Sequence, residues 1–196
     1  TLDEINVYPV PDGDTGTNMV FTLLPIVEEC KEKINSHAGE TYATMANMAL
    51  DSARGNSGTI IAQWFYGMSQ ASKGLDKVEV KDFSKALING HNSARDSLSN
   101  PEEGTIITVM KEVANEAENL INNGCDEYYN FLKAIYKKSE ISLKETKKTL
   151  KILQKSDVVD AGALGYVLII QGILNILEKS DGGRIQTTHL DISYER

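Results

Sequence analysis

The chain has 196 residues, a net charge of −8 at neutral pH and a sequence pI near 4.9, which suits one domain with a substantial core. This acidic balance argues against nucleic acid or an anionic membrane as the main partner, because both bind clustered Lys and Arg. The two cysteines, Cys30 and Cys125, show no CxxC spacing and favour reduced thiols in a cytoplasmic protein over a disulfide.

The first conspicuous stretch runs from Val7 to Met19 and reads VYPVPDGDTGTNM. Pro9 and Pro11 favour an extended chain, in which residues two apart point to the same side. Asp12 and Asp14 can therefore direct their carboxylates at one ligand. Mg²⁺ is the ion most often held by one or two carboxylates together with substrate phosphates, so the pair indicates a magnesium site.

A helix is expected directly after the two acids. Thr15 or Thr17 can cap its start, near Asn18, which would place the positive end of the helix dipole beside the carboxylates. An Asp-Gly-Asp tripeptide alone more often marks an ordinary turn, so that alternative stays open at this point. The chain begins at Thr1 without Met and reaches this motif almost at once, so we expect a preceding segment to be missing.

Apolar residues at helical spacing predict helices over 19–34, 42–54, 59–69, 80–98, 106–121, 126–138, 142–153 and 163–178. Pro25 predicts a kink or a later start in the first of them. No stretch shows strong strand alternation, so the expected fold is all-α, a bundle or barrel of about eight helices. The last helix is apolar around most of its circumference and is expected at the centre, but Gln171 and Asn175 interrupt it, so no membrane span is expected. Residues 181–196 are predicted to be a linker.

Residues 55–58, with the sequence GNSG, are predicted to form a loop between the second and third helices. Glycines let a backbone approach an anion closely, Asn56 and Ser57 can donate hydrogen bonds, and free amides at a helix start favour phosphate. The alternative is an ordinary helix break with Asn56 or Ser57 as N-cap, which the loop alone slightly favours. The loop is not a Walker A sequence, because no Lys follows Gly58. Three motifs lie at predicted helix ends: this loop, Gly104-Thr105 and residues 160–162. Alternate helix ends of an up-and-down bundle share one rim, so these motifs can lie on the same rim.

Four motifs in this order resemble a known family: NVYPVPDGDTGTNM at 6–19, ARGNSG at 53–58, EGTI at 103–106 and VVDAG at 158–162. They look like the N-terminal kinase domain of the bacterial fatty acid kinase A subunit, which is related to the nucleotide-binding L domain of dihydroxyacetone kinases. The resemblance covers nearly the whole chain. It implies an eight-helix barrel over residues 1–180 with nucleotide at one rim, and a family first helix that is mostly missing here.

The resemblance also implies roles for particular residues. Asp12 and Asp14 would hold two Mg²⁺ ions that bridge the phosphates of ATP. Asn6 is the nearest match to a third metal-binding Asp of dihydroxyacetone kinases and lies one residue out of register with it. The phosphates would contact Thr15, Gly16, Thr17, Asn18, Asn56, Ser57 and Gly58, and the nucleoside would border Thr105, Ile106, Asp160, Ala161 and Gly162.

The reaction that the resemblance implies is transfer of phosphate from ATP to a fatty-acid carboxylate, giving ADP and an acyl phosphate. The acid would be presented by a separate fatty-acid-binding carrier protein, the B subunit. A dihydroxyacetone kinase-type subunit acting on a small ketone is the runner-up; Pro9-Val10-Pro11 and Thr15 favour the first. A nucleotide-binding module with no catalysis of its own stays open, as does a homodimer formed through domains absent here.

Overall fold

The computed structural model describes residues 1–32 and 36–180. This part of the chain contains no strand, so the all-α prediction is confirmed. A short 3₁₀ helix, Asp3–Ile5, precedes the acidic loop. The eight α-helices of the described residues are α1 (Thr15–Glu32), α2 (Ala38–Ser52), α3 (Gly55–Ala71), α4 (Val80–Asp96), α5 (Ile106–Asn122), α6 (Tyr128–Thr149), α7 (Lys151–Ser156) and α8 (Ala161–Ser180).

The seven long helices form a closed ring. Each of α1 to α6 packs against the next along the chain, α8 packs against α6, and α8 also returns to α1. Their inward faces build the core, in which Trp64, Phe131 and Tyr166 are fully buried. The rings of Trp64 and Tyr166 meet edge to face with centroids 5.3 Å apart, and this contact joins α3 to α8 across the core.

Helix α8 is the one helix of the described residues that is long and apolar enough, by length and composition, to cross a membrane. A core helix meets the same two criteria, and 44% of the apolar stretch is buried inside the structure. The helix packs against α1, α5 and α6. It is therefore one member of the ring and not its centre: Leu168 and Ile176 are 43% and 64% exposed, so the central position that its apolar circumference predicted is wrong.

Several predicted helix boundaries are wrong; the second and third long helices, for example, begin at Ala38 and Gly55 and not at residues 42 and 59. The first long helix begins at Thr15 rather than near Asn18, and Pro25 lies inside it. The two helices predicted over 126–138 and 142–153 are instead the continuous α6 followed by the short α7. Ser139 does not interrupt α6, because its hydroxyl donates to the carbonyl of Tyr136 at 2.6 Å within the same helix. The predicted linker over 181–196 lies outside the described residues.

Candidate functional site

Two adjacent cavities lie where α1, α3, α5 and α8 begin. The first, about 170 Å³, contains both acids of the predicted magnesium site and is called the acidic cavity; it is lined by Asn6, Pro9, Val10, Asp12, Asp14, Thr15, Asn18, Gly55, Asn56 and Ser57. The second, about 220 Å³, has apolar and polar walls and is called the mixed cavity; it is lined by Tyr8, Pro9, Thr15, Asn56, Ser57, Ile60, Leu98, Asn100, Glu102, Thr105, Ile106, Asp160 and Gly162. The two share a wall made of Pro9, Thr15, Asn56 and Ser57.

The charges around these cavities come from carboxylates and from helix ends. A helix start carries about half a positive elementary charge, and four helix starts converge here. Within the described residues that line the two cavities there is no Lys or Arg. Arg54, directly before α3, lies over the ring of Phe21 at 4.9 Å from its centroid. An anion at this site would therefore need backbone amides and added cations to balance its charge.

The acidic loop places Asp12 and Asp14 on the same cavity, with both side chains exposed. Gly13 between them has a φ of +66°, a left-handed turn that favours glycine. Asn6, which is 5% exposed, donates its side-chain N–H to Asp12 Oδ1 at 2.7 Å, so its amide nitrogen, not its oxygen, faces the carboxylate. No group of three or more His, Cys, Asp and Glu side chains suited to a metal occurs in the described part of the chain. Two carboxylates with few other ligands fit Mg²⁺ that also binds substrate phosphates.

The start of α1 is capped by a residue that sequence reasoning missed. Asp3 Oδ1 accepts hydrogen bonds from the backbone N–H groups of Gly16 at 2.6 Å and Thr17 at 3.1 Å, and Oδ2 accepts from the Thr17 hydroxyl at 2.8 Å. The hydroxyl of Thr17, followed by the two amides, lowers the pKa of Asp3 despite an opposing contribution from burial. Neither Thr15 nor Thr17 is the cap that the sequence predicted. No local pattern could have identified Asp3, because its partners lie 13 and 14 residues further along the chain.

The four residues predicted to contact phosphate at this helix start fall into two groups. Thr15 and Asn18 line the acidic cavity. The amides of Gly16 and Thr17 are bonded to Asp3. A Cβ on Gly16 would lie 2.9 Å from the Cβ of Leu2, so this glycine allows close packing of the N-terminal segment. Thr15 and Asn18 are thus the two placed to meet a phosphate.

The predicted loop over 55–58 is the first turn of α3 and not a loop. The helix starts after Arg54, which makes no side-chain cap, and its first internal bond runs from the Gly58 N–H to the Arg54 carbonyl at 3.1 Å. The amides before Gly58 therefore have no partner within the helix. Asn56 and Ser57 line both cavities, as a phosphate-binding helix start requires.

Gly58 has a packing role that the sequence did not reveal. A Cβ at this position would collide with the hydroxyl of Thr22, a fully buried residue of α1. Gly58 therefore allows α1 and α3 to approach closely and does not line either cavity. Its predicted role in opening a loop to phosphate is corrected accordingly.

Asp160 joins the starts of α5 and α8 at the mixed cavity. Its carboxylate accepts backbone N–H bonds from Ala163, Ile106 and Gly162. Burial raises its pKa to about 7, and these bonds act in the opposite direction. Its Oδ1 atom is buried without a hydrogen-bond partner among the described residues. Asp160 thus connects the first turns of α5 and α8 and also lines the mixed cavity.

The remaining nucleoside-site predictions divide in the same way. Thr105, Ile106 and Gly162 line the mixed cavity together with Asp160, whereas Ala161 is buried beside it. Sequence reasoning missed Tyr8, Ile60, Leu98, Asn100 and Glu102, which complete the lining. Burial, then the charges of Glu102 and Asp160, raises the pKa of Tyr8. The segment that carries Asn100 and Glu102 has the composition of an ordinary polar surface loop, so its sequence did not indicate that these residues line a cavity.

Comparison with known proteins identifies the family of the chain. A family model described as the DAK2 domain matches residues 9–175, from the acidic loop through most of α8. Similar proteins include uncharacterised proteins of Staphylococcus saprophyticus subsp. saprophyticus (34% identity over 177 residues, 90% of this chain and 32% of the relative), Staphylococcus epidermidis (36% over 190 residues, 97% and 34%) and Staphylococcus aureus (35% over 177 residues, 90% and 32%). The chain spans about a third of the length of these relatives. The chain therefore belongs to the DAK2 domain family, a kinase-related family of nucleotide-binding modules.

Proposed function

We propose that this domain binds ATP with Mg²⁺ across the two cavities and transfers its γ-phosphate to the carboxylate of a fatty acid. The observation that carries the nucleotide assignment is the shared wall of Thr15, Asn56 and Ser57 between an acidic and a mixed cavity. A nucleoside triphosphate has two chemically different parts, and two adjacent compartments of this kind suit it. Its charged phosphates suit the helix starts, and its base and ribose suit mixed walls.

The donor set fits Mg²⁺ in the acidic cavity. Asp12 and Asp14 would hold the metal, two ions by the family resemblance, and Asn6 would keep Asp12 oriented. Because the described lining has no Lys or Arg, phosphate bound here needs cations from solution. Bound Mg²⁺ would supply positive charge to the phosphate oxygens. The free amides at the start of α3 would bind further phosphate oxygens.

The mixed cavity suits the nucleoside. Ile60, Leu98 and Ile106 offer apolar surface to a base. Glu102 and Asp160 offer carboxyl oxygens to hydroxyl or amino groups. This distribution of a few polar groups on apolar walls is typical of small-molecule sites.

The proposed transfer requires no nucleophile from the protein. A carboxylate oxygen of the fatty acid would form the new bond to the γ-phosphorus while the bond from that phosphorus to the β,γ-bridging oxygen breaks, giving acyl phosphate and ADP. A carboxylic acid is already ionised at neutral pH, so no general base is needed. The chain's contribution is to position both reactants and stabilise phosphate charge, which are the main contributions to phosphoryl transfer.

The size of the site supports delivery of the fatty acid by a separate binding protein. The acidic cavity of about 170 Å³ is smaller than the roughly 300 Å³ at the lower end of ligand pockets. The acyl chain would stay on its carrier while the carboxylate reaches the phosphate. Pro9-Val10-Pro11 and Thr15 favour this acceptor over dihydroxyacetone, through the family resemblance.

The test is to trap acyl phosphate with hydroxylamine after incubation with Mg²⁺-ATP. We expect acyl hydroxamate from carrier-bound fatty acid, little from free fatty acid, and none with the Asp14→Asn variant. Equal yields from free and carrier-bound acid would contradict the carrier. Phosphorylation of dihydroxyacetone would show that the phosphate acceptor is a small ketone and not a fatty acid. Nucleotide binding without transfer of phosphate to either acceptor would show that the domain is a nucleotide-binding module with no catalysis of its own.

A further inference from the structure

We propose that Asp3 is a positioning residue for the metal-binding acids, and that its carboxylate reserves phosphate binding for the start of α3. This inference rests on the proposed nucleotide function. Its first part concerns how the acidic loop is held. Its second part concerns which helix start binds phosphate.

Asp3 contacts the chain on both sides of Asp14. Its carboxylate holds the amides of Gly16 and Thr17, in the first turn of α1. Its backbone carbonyl lies 3.6 Å from where a Cβ of Gly13 would be, so the turn between the two acids rests against it. Asp14 lies between these contacts, and its own carbonyl accepts the Asn18 N–H at 2.8 Å. Fixing the residues on either side limits where the Asp14 carboxylate can point.

The same segment holds the other acid. Asn6, at the end of the 3₁₀ helix that begins with Asp3, donates to Asp12 Oδ1 at 2.7 Å. Its backbone N–H also bonds to the Asp3 carbonyl at 3.4 Å. One short segment, with Asp3 and Asn6 at its two ends, therefore restrains the positions of both carboxylates. Groups that orient metal ligands in this way affect metal affinity although they do not touch the metal.

The charge of Asp3 distinguishes the two helix starts. At α1 a carboxylate already binds the free amides, so a phosphate approaching there would meet a like charge. At α3 no side chain caps the helix, and its first turn lines both cavities. Phosphate is therefore expected at α3, with Thr15 and Asn18 as the contributors from α1.

The experiment compares Asp3→Ala with Glu127→Ala, a matched control. Glu127 caps α6 through bonds from the Tyr129 N–H at 2.8 Å and the Asn130 N–H at 2.7 Å, and it does not line either cavity. Both variants lose a helix-capping carboxylate, so both should lower the melting temperature. Calorimetric titration with Mg²⁺ and a non-hydrolysable ATP analogue should show affinity weaker by about 10- to 100-fold for Asp3→Ala alone.

A second variant, Asp3→Asn, separates geometry from charge. Its amide oxygen can still accept from both backbone N–H groups, so it should recover most of the Mg²⁺-nucleotide affinity lost in Asp3→Ala. Without the negative charge it should bind inorganic phosphate more tightly than wild type when Mg²⁺ is absent. Unchanged phosphate affinity in this variant would overturn the second part, even if Asp3→Ala does not fold.

The wild-type titration separates this inference from the function on which it rests. If the wild-type domain binds no Mg²⁺-nucleotide, the proposed function fails. If the wild type binds and Asp3→Ala binds equally well, only the role of Asp3 fails. An equal loss in Glu127→Ala would show that the effect follows from stability, and would also overturn that role.

Discussion

At the scale of single residues, Asp14 carries the most direct test of the metal assignment. Its side chain is exposed and faces the acidic cavity, so a neutral replacement should not disturb packing. We expect Asp14→Asn to abolish Mg²⁺-dependent nucleotide binding and to keep the fold. Calorimetric titration with an ATP analogue measures this, with Asp51→Asn, another exposed acid outside both cavities, as the control. Wild-type affinity in Asp14→Asn would remove the metal site from the proposal.

Asp160 predicts a pH dependence of stability. Burial raises its pKa from 3.8 to about 7, so between these values the folded state keeps a proton that the unfolded state releases. Stability from this group is therefore complete below pH 3.8 and is lost as the pH rises towards about 7. In Asp160→Asn the side chain is uncharged at every pH, and its amide oxygen can still accept hydrogen bonds from the backbone N–H groups.

The measurement for Asp160 is the free energy of unfolding of both proteins from pH 4 to pH 8. Relative to wild type, Asp160→Asn should gain stability up to about pH 7 and then run parallel to it. Curves that stay parallel over the whole range would show that the carboxyl is ionised in the folded state. The comparison is made without nucleotide, so that ligand binding does not contribute.

At the scale of elements, the contact between α1 and α3 depends on Gly58. A Cβ added at Gly58 would meet the side chain of Thr22 in α1. We expect Gly58→Ala to lower the free energy of unfolding by about 1–3 kcal/mol through overpacking. Combining it with Thr22→Ala should cost less than the sum of the two single changes, because the colliding hydroxyl is gone. If the losses of unfolding free energy in the two single variants, measured with denaturant, add exactly in the double variant, the contact between positions 58 and 22 is contradicted.

Elements with one clear apolar face were predictable from the sequence. The helix predicted over 80–98 is α4 (Val80–Asp96), and that over 106–121 is α5 (Ile106–Asn122). Asp12 and Asp14 line one cavity as expected, but the reason differs: Gly13 makes a left-handed turn between them, whereas the sequence argument assumed an extended chain. The support from Asp3 was not predictable, since it arises only when the N-terminal segment packs on α1. The break predicted between residues 138 and 142 does not exist, because buried Ser139 satisfies its hydroxyl within α6 by donating to the Tyr136 carbonyl.

At the scale of the whole molecule, the ring closes where α8 meets α1. A Cβ on Gly165 of α8 would collide with the sulfur and methyl group of Met19 in α1. We expect Gly165→Leu to cost about 1–3 kcal/mol of stability, because four carbons must enter a close contact. Gly172→Leu is the matched control, since nothing lies within 4 Å of its Cβ position.

The control is expected to change stability in the opposite direction. Replacing a glycine inside a helix by leucine at an open position should stabilise by up to about 0.5–1 kcal/mol. Urea unfolding of the two variants gives both numbers under one condition. Destabilisation by both substitutions would show that α8 tolerates no bulk on this face and that ring closure is not specific to Gly165.

The four helix starts around the cavities have a consequence for the order in which the site comes into existence during synthesis. The acidic loop leaves the ribosome early, whereas α8, whose start completes the mixed cavity, begins only at Ala161. A nascent chain that ends before Asp160 carries both carboxylates and still lacks one wall of the nucleoside compartment. If the domain binds nucleotide as proposed, tight binding would distinguish chains that contain α8 from shorter ones, and ATP would stabilise most the chains in which α8 has packed against α1.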